Sequence, residues 1–324
     1  MQVIAIILVF IGHSTRIFPK WAFFYSPVRS DLMHNINIII YSFHMALFVF
    51  ISGFLFANSF SSSNITISQY IKKRFKRLII PFYLFGIFWN IPIWKLGNVY
   101  PDFTVIQKIK FIFLGMNNGH LWFLAMLFCL TTIFLLIERL ILKKTNIFWG
   151  LLIFIPVYFL NVHGKNSYYQ IFRVNLFITY FYIGYLCFYY RNIIIPFIEQ
   201  NYLKISVILS IIWILLEAKL VYAGSLDKSF SLITAIVAIL LIFSTAKLIE
   251  NRYENYLTNA KWFNFIAGNS FLLYIFHEPI MFAILRFIKY GKGLIPIETV
   301  LICFIGTSIL TYIFVLIYKK FVNL

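Results

Sequence analysis

Two histidines, His13 and His44, lie inside long apolar stretches near the start of the sequence. Hydrocarbon can neither solvate an imidazolium nor satisfy a ring N–H, so a histidine in a membrane helix should face protein or water. Helix rise places His13 about 15 Å, and His44 about 18 Å, from the inner boundary of a bilayer core. At this common depth the two rings could share one proton-transfer site for general base catalysis. Alternatively, each ring bonds a separate backbone carbonyl and only holds helices together.

A dense basic run at 72–77, which includes Lys73, Arg74 and Arg77, is a second candidate site. Arg74 and Arg77 are three residues apart, so on a helix they share a face and present two guanidinium groups to phosphates. The excess of positive charge on cytoplasmic loops could equally account for this run. An apolar segment follows immediately after Arg77, which favours a phosphate site at the membrane boundary.

Ionisable residues also interrupt two later apolar segments. The pair His277-Glu278 stands directly before Pro279, which should kink a membrane helix and release a backbone carbonyl. This pair could bind an acceptor or neutralise itself locally. Glu217 lies well inside another segment, where it could pair with Lys219 or line a cavity.

The remaining polar candidates carry weaker signals. His120 and Trp122 start an apolar segment and, like the pair His277-Glu278, are candidates for an acceptor site. Ser52 is a candidate hydrogen-bond donor to a developing oxyanion. His34 and His163 are predicted to lie in loops and receive no role.

The composition indicates a polytopic membrane protein. Hydrophobic residues make up 62% of the 324 residues and charged residues 12%, whereas soluble domains carry about 25% charged residues. The net charge of +18 arises from 28 basic and 10 acidic residues. Most cations flank apolar segments, where anionic lipid headgroups explain them, so no nucleic-acid partner is expected.

The cysteines and the N-terminus narrow the class further. Cys129, Cys187 and Cys303 all lie in apolar segments without metal-site spacing, so we expect buried free thiols and no metal. The first segment has no basic region or small-residue cleavage site before it and is expected to be a retained helix rather than a signal peptide.

The hydrophobic pattern predicts an all-α fold with about ten transmembrane helices in one bundle, forming a single membrane domain over 1–324. Long loops are expected at 19–35, 58–78, 96–119 and 250–262, and the short apolar segment 105–116 should lie at the lipid surface or re-enter. The dense basic run and the pairs Lys143-Lys144 and Lys319-Lys320 fall on one side, which predicts N-in and C-in orientation. The predicted spans are 2–18, 36–57, 79–95, 120–137, 146–162, 171–190, 204–222, 230–249, 263–288 and 297–318.

Five segments in order resemble the integral-membrane acyltransferase-3 family, bacterial O-acyltransferases that modify surface polysaccharides. The segments are 5–13, 43–55, 73–81, 120–124 and 268–277. The resemblance implies that His13 is the essential first-helix histidine and that Arg74 and Arg77 form the Arg-x-x-Arg motif thought to meet the donor. The stretch around His44 resembles the fucose 4-O-acetylase-like branch. Gln2 departs from the family pattern, which usually has a basic residue eleven positions before the first-helix histidine.

The resemblance implies a membrane-bound O-acyltransferase in the bacterial cytoplasmic membrane. The donor would be cytoplasmic acetyl-CoA or another short acyl-CoA, with no permanently bound cofactor. The acceptor would be a hydroxyl of a cell-surface polysaccharide, such as O-antigen, or of its lipid-linked precursor. His13, and His44 if the two share a site, would carry the catalysis, by taking the hydroxyl proton or by holding the acyl group transiently.

Two other classes fit the same residues. A transporter or flippase for a lipid-linked saccharide would use the histidines as a proton path. Against it, the sequence shows no internal repeat and no paired Gly- or Pro-broken helices in two halves. A subunit that only holds a polysaccharide assembly complex together is the third reading.

Overall fold

The computed structural model describes residues 1–18, 29–61, 66–142, 148–160, 168–223, 227–288 and 293–322. The described residues form helices joined by turns, with an isolated bridge between Asn118 and His120 and no strand, so the predicted all-α class is confirmed. The helices are α1 (Gln2–Ser14), α2 (Asp31–Ser61), α3 (Ile67–Leu96), α4 (Val105–Phe113), α5 (Trp122–Leu140), α6 (Trp149–Phe159), α7 (Val174–Tyr189), α8 (Arg191–Ala223), α9 (Lys228–Asn259), α10 (Lys261–Phe287) and α11 (Pro296–Val322).

Eight helices in the described part of the chain are long and apolar enough to cross a membrane. α1 and α6 are apolar but shorter, with 13 and 11 residues. At helical rise α1 is about 20 Å long, less than a bilayer core of about 30 Å. The predicted span 2–18 is therefore helical only as far as Ser14. A count of ten spans and the N-in, C-in orientation stay predictions.

Two predicted loops are mostly helical. In the predicted loop 58–78, α2 continues to Ser61 and α3 begins at Ile67, so the basic run 72–77 lies on a helix. In the predicted loop 250–262, only Ala260 separates α9 from α10. The loops were predicted from hydropathy, which detects only the apolar part of a helix. Polar residues continue these helices beyond their apolar parts.

The predictions for His34, His163 and the three cysteines can be compared with the structure only in part. His34, predicted to lie in a loop, is part of α2, and its backbone N–H bonds the Ser30 carbonyl at 3.0 Å. His163 and the pair Lys143-Lys144 lie outside the described residues. All three cysteines are free thiols, two of them buried and the third half-buried, largely as predicted.

The chain divides into two compact units. Unit 1 comprises Met1–Phe48, Leu96–Val99 and Ile195–Leu324, and unit 2 comprises Val49–Lys95 and Tyr100–Ile194. In unit 1, α1 packs against α10 and α11, which also pack against each other. In unit 2, α7 packs against α5 and α6. The single membrane domain over 1–324 stays a prediction.

In unit 2, α2 and α7 meet at two glycines. A Cβ atom at Gly53 would overlap the Phe181 carbonyl, and one at Gly184 would overlap the Phe50 carbonyl. Small residues let membrane helices approach until their backbones touch, because dispersion contacts replace a missing hydrophobic driving force. The two glycines therefore set how closely α2 and α7 pack.

The long helix α3 contains two π-helical turns, Phe75–Ile79 and Gly86–Asn90. Such turns change the intrahelical hydrogen-bond pattern and are frequent at functional sites. Asn118 donates from Nδ2 to the Phe82 carbonyl at 2.8 Å, and Asn90 donates to the Asn118 carbonyl at 3.2 Å. We call Asn90, Asn118 and the Phe82 carbonyl the amide cluster of unit 2.

Candidate functional site

The site in unit 1 is built on the end of α1. The helix stops at Ser14, and its last carbonyls find partners outside the regular helix pattern. Asn37, on α2, donates from Nδ2 to the Gly12 carbonyl at 2.7 Å and to the Thr15 hydroxyl at 3.1 Å. A helix end at membrane depth is tolerated only when its backbone groups are satisfied in this way. The partial negative charge of a helix C-terminus also stabilises nearby cations.

His13, in the last turn of α1, shares a carboxylate with Arg16. Nδ1 of His13 lies 3.3 Å from Oε1 of Glu278, and Nη1 of Arg16 donates to the same oxygen at 2.6 Å. His13 is 7% and Glu278 1% exposed. A neutral imidazole beside an arginine–glutamate pair carries no net charge, which limits the cost of placing these groups in a membrane. We call His13, Arg16 and Glu278 the imidazole–carboxylate cluster.

His277 completes one wall of this cluster. Its ring lies edge-on to His13 with the centroids 4.8 Å apart and stacks on Phe10 at 5.1 Å. Nδ1 of His277 lies 2.6 Å from the Tyr274 carbonyl. Since a carbonyl can only accept, Nδ1 carries the hydrogen in this contact. Both residues of the pair His277-Glu278 therefore face His13. The His277 ring contacts the His13 ring, and the Glu278 carboxylate lies within ion-pair distance of it.

His44 approaches the cluster through a tyrosine. The Tyr41 ring lies 4.6 Å from the His44 ring and 6.1 Å from the His13 ring, centroid to centroid. Nδ1 of His44 also lies 2.8 Å from the Ile40 carbonyl of its own helix. His44 thus bonds a backbone carbonyl of its own helix, whereas His13 faces Glu278, and a proton-transfer site shared by the two rings stays a prediction.

The predicted donor-binding residues lie on α3 in unit 2. Arg74 is half-buried and donates from Nε to the Tyr70 hydroxyl at 2.7 Å, while Lys73 and Arg77 are exposed. α3 changes from α-helix to a π turn at Phe75, directly between the two arginines. Their relative direction is therefore not that of the regular α-helical spacing assumed from the sequence.

The other predicted acceptor residues lie in unit 2 as well. His120 is buried and precedes α5, and Trp122 is the first residue of α5. The guanidinium of Arg173 lies 4.3 Å from the Trp122 ring centroid, a cation–π contact. Ser52 is half-buried on α2.

Glu217 has a different partner from the one considered in the sequence analysis. Its Oε1 accepts a hydrogen bond from the Ser42 hydroxyl at 2.8 Å. Lys219 points elsewhere, with its Nζ 3.2 Å from the Phe230 ring centroid. The predicted pairing with Lys219 is wrong because residues two apart on a helix do not face each other.

Three residues of this site were missed from the sequence. Arg16 follows His13 by three positions and Tyr41 precedes His44 by three, so helical spacing could have identified both. Asn37 is an amide inside an apolar stretch, where a hydrogen-bonding role between helices is the usual explanation. Its hydrogen bond to the Gly12 carbonyl depends on how α2 packs beside the end of α1, which a single sequence does not show.

The comparison with protein families agrees with this picture. The model of the acyltransferase-3 family, described as an acyltransferase domain, matches residues 1–318. No curated protein and no solved structure matches the chain significantly. Because the match covers nearly the whole of a multi-helix membrane protein, the chain belongs to the acyltransferase-3 family.

Proposed function

We propose that this protein transfers an acyl group, in the first instance acetyl, from acyl-CoA to a hydroxyl of a cell-surface saccharide or its lipid-linked precursor. The observation that carries the proposal is the imidazole–carboxylate cluster, buried in a chain of an acyltransferase family. A histidine beside a carboxylate is the arrangement that general base catalysis of acyl transfer requires.

His13 acts as the base in this mechanism. Nδ1 is the ring nitrogen that faces Glu278, 3.3 Å from Oε1, so in this mechanism Nδ1 carries the hydrogen and proton transfer falls to Nε2. Nε2 takes the proton of the acceptor hydroxyl while the hydroxyl oxygen attacks the thioester carbonyl carbon. The carbon–sulfur bond then breaks, and the proton passes from His13 to the departing sulfur. The products are the acylated saccharide and CoA, and His13 is neutral again.

Two features stabilise the imidazolium that forms during the step. Glu278 lies within ion-pair distance of Nδ1, and the C-terminal end of α1 adds a favourable helix dipole. Arg16 holds Glu278 by a short charge-assisted bond and so fixes which way the carboxylate faces. Arg16 and Glu278 are positioning residues, because they act on the substrate through His13.

The donor phosphates are the second part of the proposal. Arg74, Arg77 and Lys73 form a basic surface on α3, and guanidinium groups bind phosphate oxygens bidentately. We assign the phosphates of acyl-CoA to this surface. The proposal includes the bacterial cytoplasmic membrane as the location, because one side of that membrane meets the CoA pool.

The test uses purified protein in lipid nanodiscs with radiolabelled acetyl-CoA. The acceptor is the unacetylated glycolipid fraction extracted from a strain in which the gene is deleted. We expect the wild type to label the glycolipid and His13→Gln to lose about 10³-fold in kcat. His34→Gln, a histidine of the same unit outside the cluster, is the matched control and should keep wild-type activity.

Two results would contradict the proposal. Full transfer by His13→Gln would remove the histidine from the chemistry. Movement of the glycolipid across a vesicle membrane by the wild type, without acetyl-CoA and without labelling, would instead support the transporter reading.

A further inference from the structure

We propose that unit 1 carries a binding site for a zwitterionic phospholipid headgroup, one with a phosphodiester and a free amine, in a cavity between α8 and α9. The site is independent of the acyl-transfer mechanism proposed above, because it uses none of the residues assigned to the reaction. Three observations carry the inference: the cavity itself, the charges that line it, and its level relative to the apolar parts of the two helices.

The cavity has a volume of about 270 Å³. Pockets that hold drug-sized ligands measure about 300–1,000 Å³, so this cavity suits a lipid headgroup rather than a whole nucleotide. Polar side chains from both helices line it, and of these only the Ser244 hydroxyl is fully buried. The polar lining consists of Glu199 and Tyr202 from α8 and Ser244, Lys247, Asn251 and Arg252 from α9.

Lys247 and Arg252 supply the positive charge of this lining. Nζ of Lys247 donates to Oε2 of Glu250 at 2.8 Å, which leaves two of the three ammonium hydrogens for another acceptor. Arg252 is exposed, and the ion pairs formed by the described residues do not include it. A guanidinium binds two phosphate oxygens at once, and an ammonium group binds phosphate as a point charge. The two cations therefore favour a phosphodiester as the ligand.

Glu199 brings a negative charge to the same cavity from α8. Its Oε1 accepts a hydrogen bond from Nδ2 of Asn251 at 2.9 Å, and this bond joins the two helices. A carboxylate attracts an ammonium group and repels a purely anionic headgroup. A zwitterionic headgroup can place its phosphate at Lys247 and Arg252 and its amine at Glu199. The lining thus favours phosphoethanolamine over phosphoglycerol.

The cavity lies where the apolar parts of both helices end. On α9 the apolar stretch ends at Ile249, and the run 250–256 that follows is polar. On α8 the last charged residue before the uncharged stretch 205–216 is Lys204. The change from apolar to polar residues along a membrane helix marks the boundary at which lipid headgroups lie. We therefore expect the cavity at headgroup level.

The surface beside the cavity suits the acyl chains of a lipid. Leu203 and Val207 follow Glu199 at steps of four residues and so continue along the same face of α8. They are 63% and 55% exposed. A row of exposed apolar side chains leading away from the cavity favours a membrane lipid over a soluble phosphate compound.

The N-terminus of α1 indicates which leaflet would supply the lipid. The amino group of Met1 interacts electrostatically with Glu250 and with Lys247, a residue of the cavity. The cavity therefore lies at the end of unit 1 where the chain begins. With the predicted N-in orientation, this is the cytoplasmic leaflet.

The experiment measures lipid binding to the purified full-length protein in detergent by native mass spectrometry. The protein is titrated with phosphatidylethanolamine and, separately, with phosphatidylglycerol that has the same acyl chains. We expect the wild type to bind phosphatidylethanolamine about fivefold more tightly than phosphatidylglycerol. The double variant Lys247→Gln/Arg252→Gln should bind phosphatidylethanolamine about tenfold more weakly than the wild type. Lys319→Gln/Lys320→Gln, which removes two exposed cations at the end of α11, is the matched control and should bind like the wild type.

Glu199→Gln tests the selectivity for the amine. Glutamine keeps a side-chain oxygen for the Asn251 amide, so the helix contact is retained while the charge is removed. We expect this variant to bind the two lipids with affinities within about twofold of each other. An unchanged preference for phosphatidylethanolamine would contradict the role of Glu199.

Three further results would overturn the proposal. Equal binding of phosphatidylethanolamine by the double variant and its control would mean that the lipid binds elsewhere. Tighter binding of phosphatidylglycerol by the wild type would indicate only a cationic surface. Displacement of phosphatidylethanolamine by acetyl-CoA would assign the cavity to the acyl donor. Should the double variant fail to fold, Arg252→Gln alone decides, because Arg252 is exposed.

Discussion

Both units bury a polar cluster, but the chemistry of the two clusters differs. The cluster in unit 1 consists of ionisable groups, because the His13 imidazole and the Arg16 guanidinium both contact Oε1 of the Glu278 carboxylate. In unit 2 they are neutral, with Asn90 and Asn118 bonding each other and the Phe82 carbonyl. Neutral amides hold membrane helices together at modest cost, whereas ionisable groups persist where a reaction or transport step uses them.

The comparison assigns different work to the two clusters. The imidazole–carboxylate cluster contains groups that can gain and lose a proton, whereas the amide cluster contains groups that only form hydrogen bonds. Substitutions in the imidazole–carboxylate cluster should therefore change kcat, and substitutions in the amide cluster should change stability. Two substitutions test this division and a third tests the basic surface of α3, from the largest expected effect to the smallest.

Glu278→Gln should have the largest effect. The amide removes the charge that orients His13 and stabilises its imidazolium, and it leaves Arg16 without its anion. We expect kcat to fall about 10²- to 10³-fold at nearly unchanged acceptor KM, measured as label transfer in nanodiscs. Glu250→Gln, an exposed acid paired with Lys247, is the control. A change in KM alone would mean that Glu278 binds the acceptor and does not position His13.

Asn118→Leu should lower the free energy of unfolding by about 1–3 kcal/mol. The substitution removes the side-chain amide that donates to the Phe82 carbonyl and the side-chain oxygen that accepts from Asn90 at 3.1 Å. Thermal unfolding in detergent measures the loss, and the folded fraction should keep the wild-type kcat. Asn201→Leu serves as control, since Asn201 is half-buried and its amide bonds the Phe197 carbonyl of its own helix. A large fall in kcat at unchanged stability would contradict the proposed difference between the two clusters.

Arg77→Gln should have the smallest effect. Arg77 is exposed on α3, so its contact with a donor phosphate is screened by water and salt. We expect the KM for acetyl-CoA to rise about fivefold at low salt and less at high salt, with kcat unchanged. Lys320→Gln, an exposed cation on α11, should have no effect. An equal effect of both variants would indicate general attraction of anions and no site.

The sequence predicted which histidines belong to the site better than it predicted the residues that they contact. Hydropathy and helix rise predicted that His13 and His44 lie at similar depth, and the rings of both neighbour the Tyr41 ring. The contacts of His13 and Arg16 with Glu278 could not be predicted, because Arg16 and Glu278 are 262 positions apart in the sequence. Contacts over such distances depend on how helices pack, and a single sequence does not encode this in a readable form.

The ends and irregular turns of helices were also beyond sequence reasoning. α1 ends at Ser14, in the polar stretch from His13 to Arg16, and Asn37 on α2 donates to the Gly12 carbonyl that the helix end leaves open. The π turn that begins at Phe75 divides Arg74 from Arg77 without any glycine or proline inside it. Both features arise from packing. The error at the end of α9 has another cause, because polar residues continue this helix to Asn259, beyond the apolar stretch from which its end was predicted.

The charge balance of the imidazole–carboxylate cluster has a consequence for bioenergetics. In the proposed mechanism the proton arrives with the acceptor, resides on His13 and departs with the sulfur, while Arg16 and Glu278 keep their charges. No charge travels across the bilayer in one turnover. Moving a single charge across 100 mV would involve about 2.3 kcal/mol. Acylation by this route takes its driving force from the thioester, and energised and de-energised membranes should support it equally.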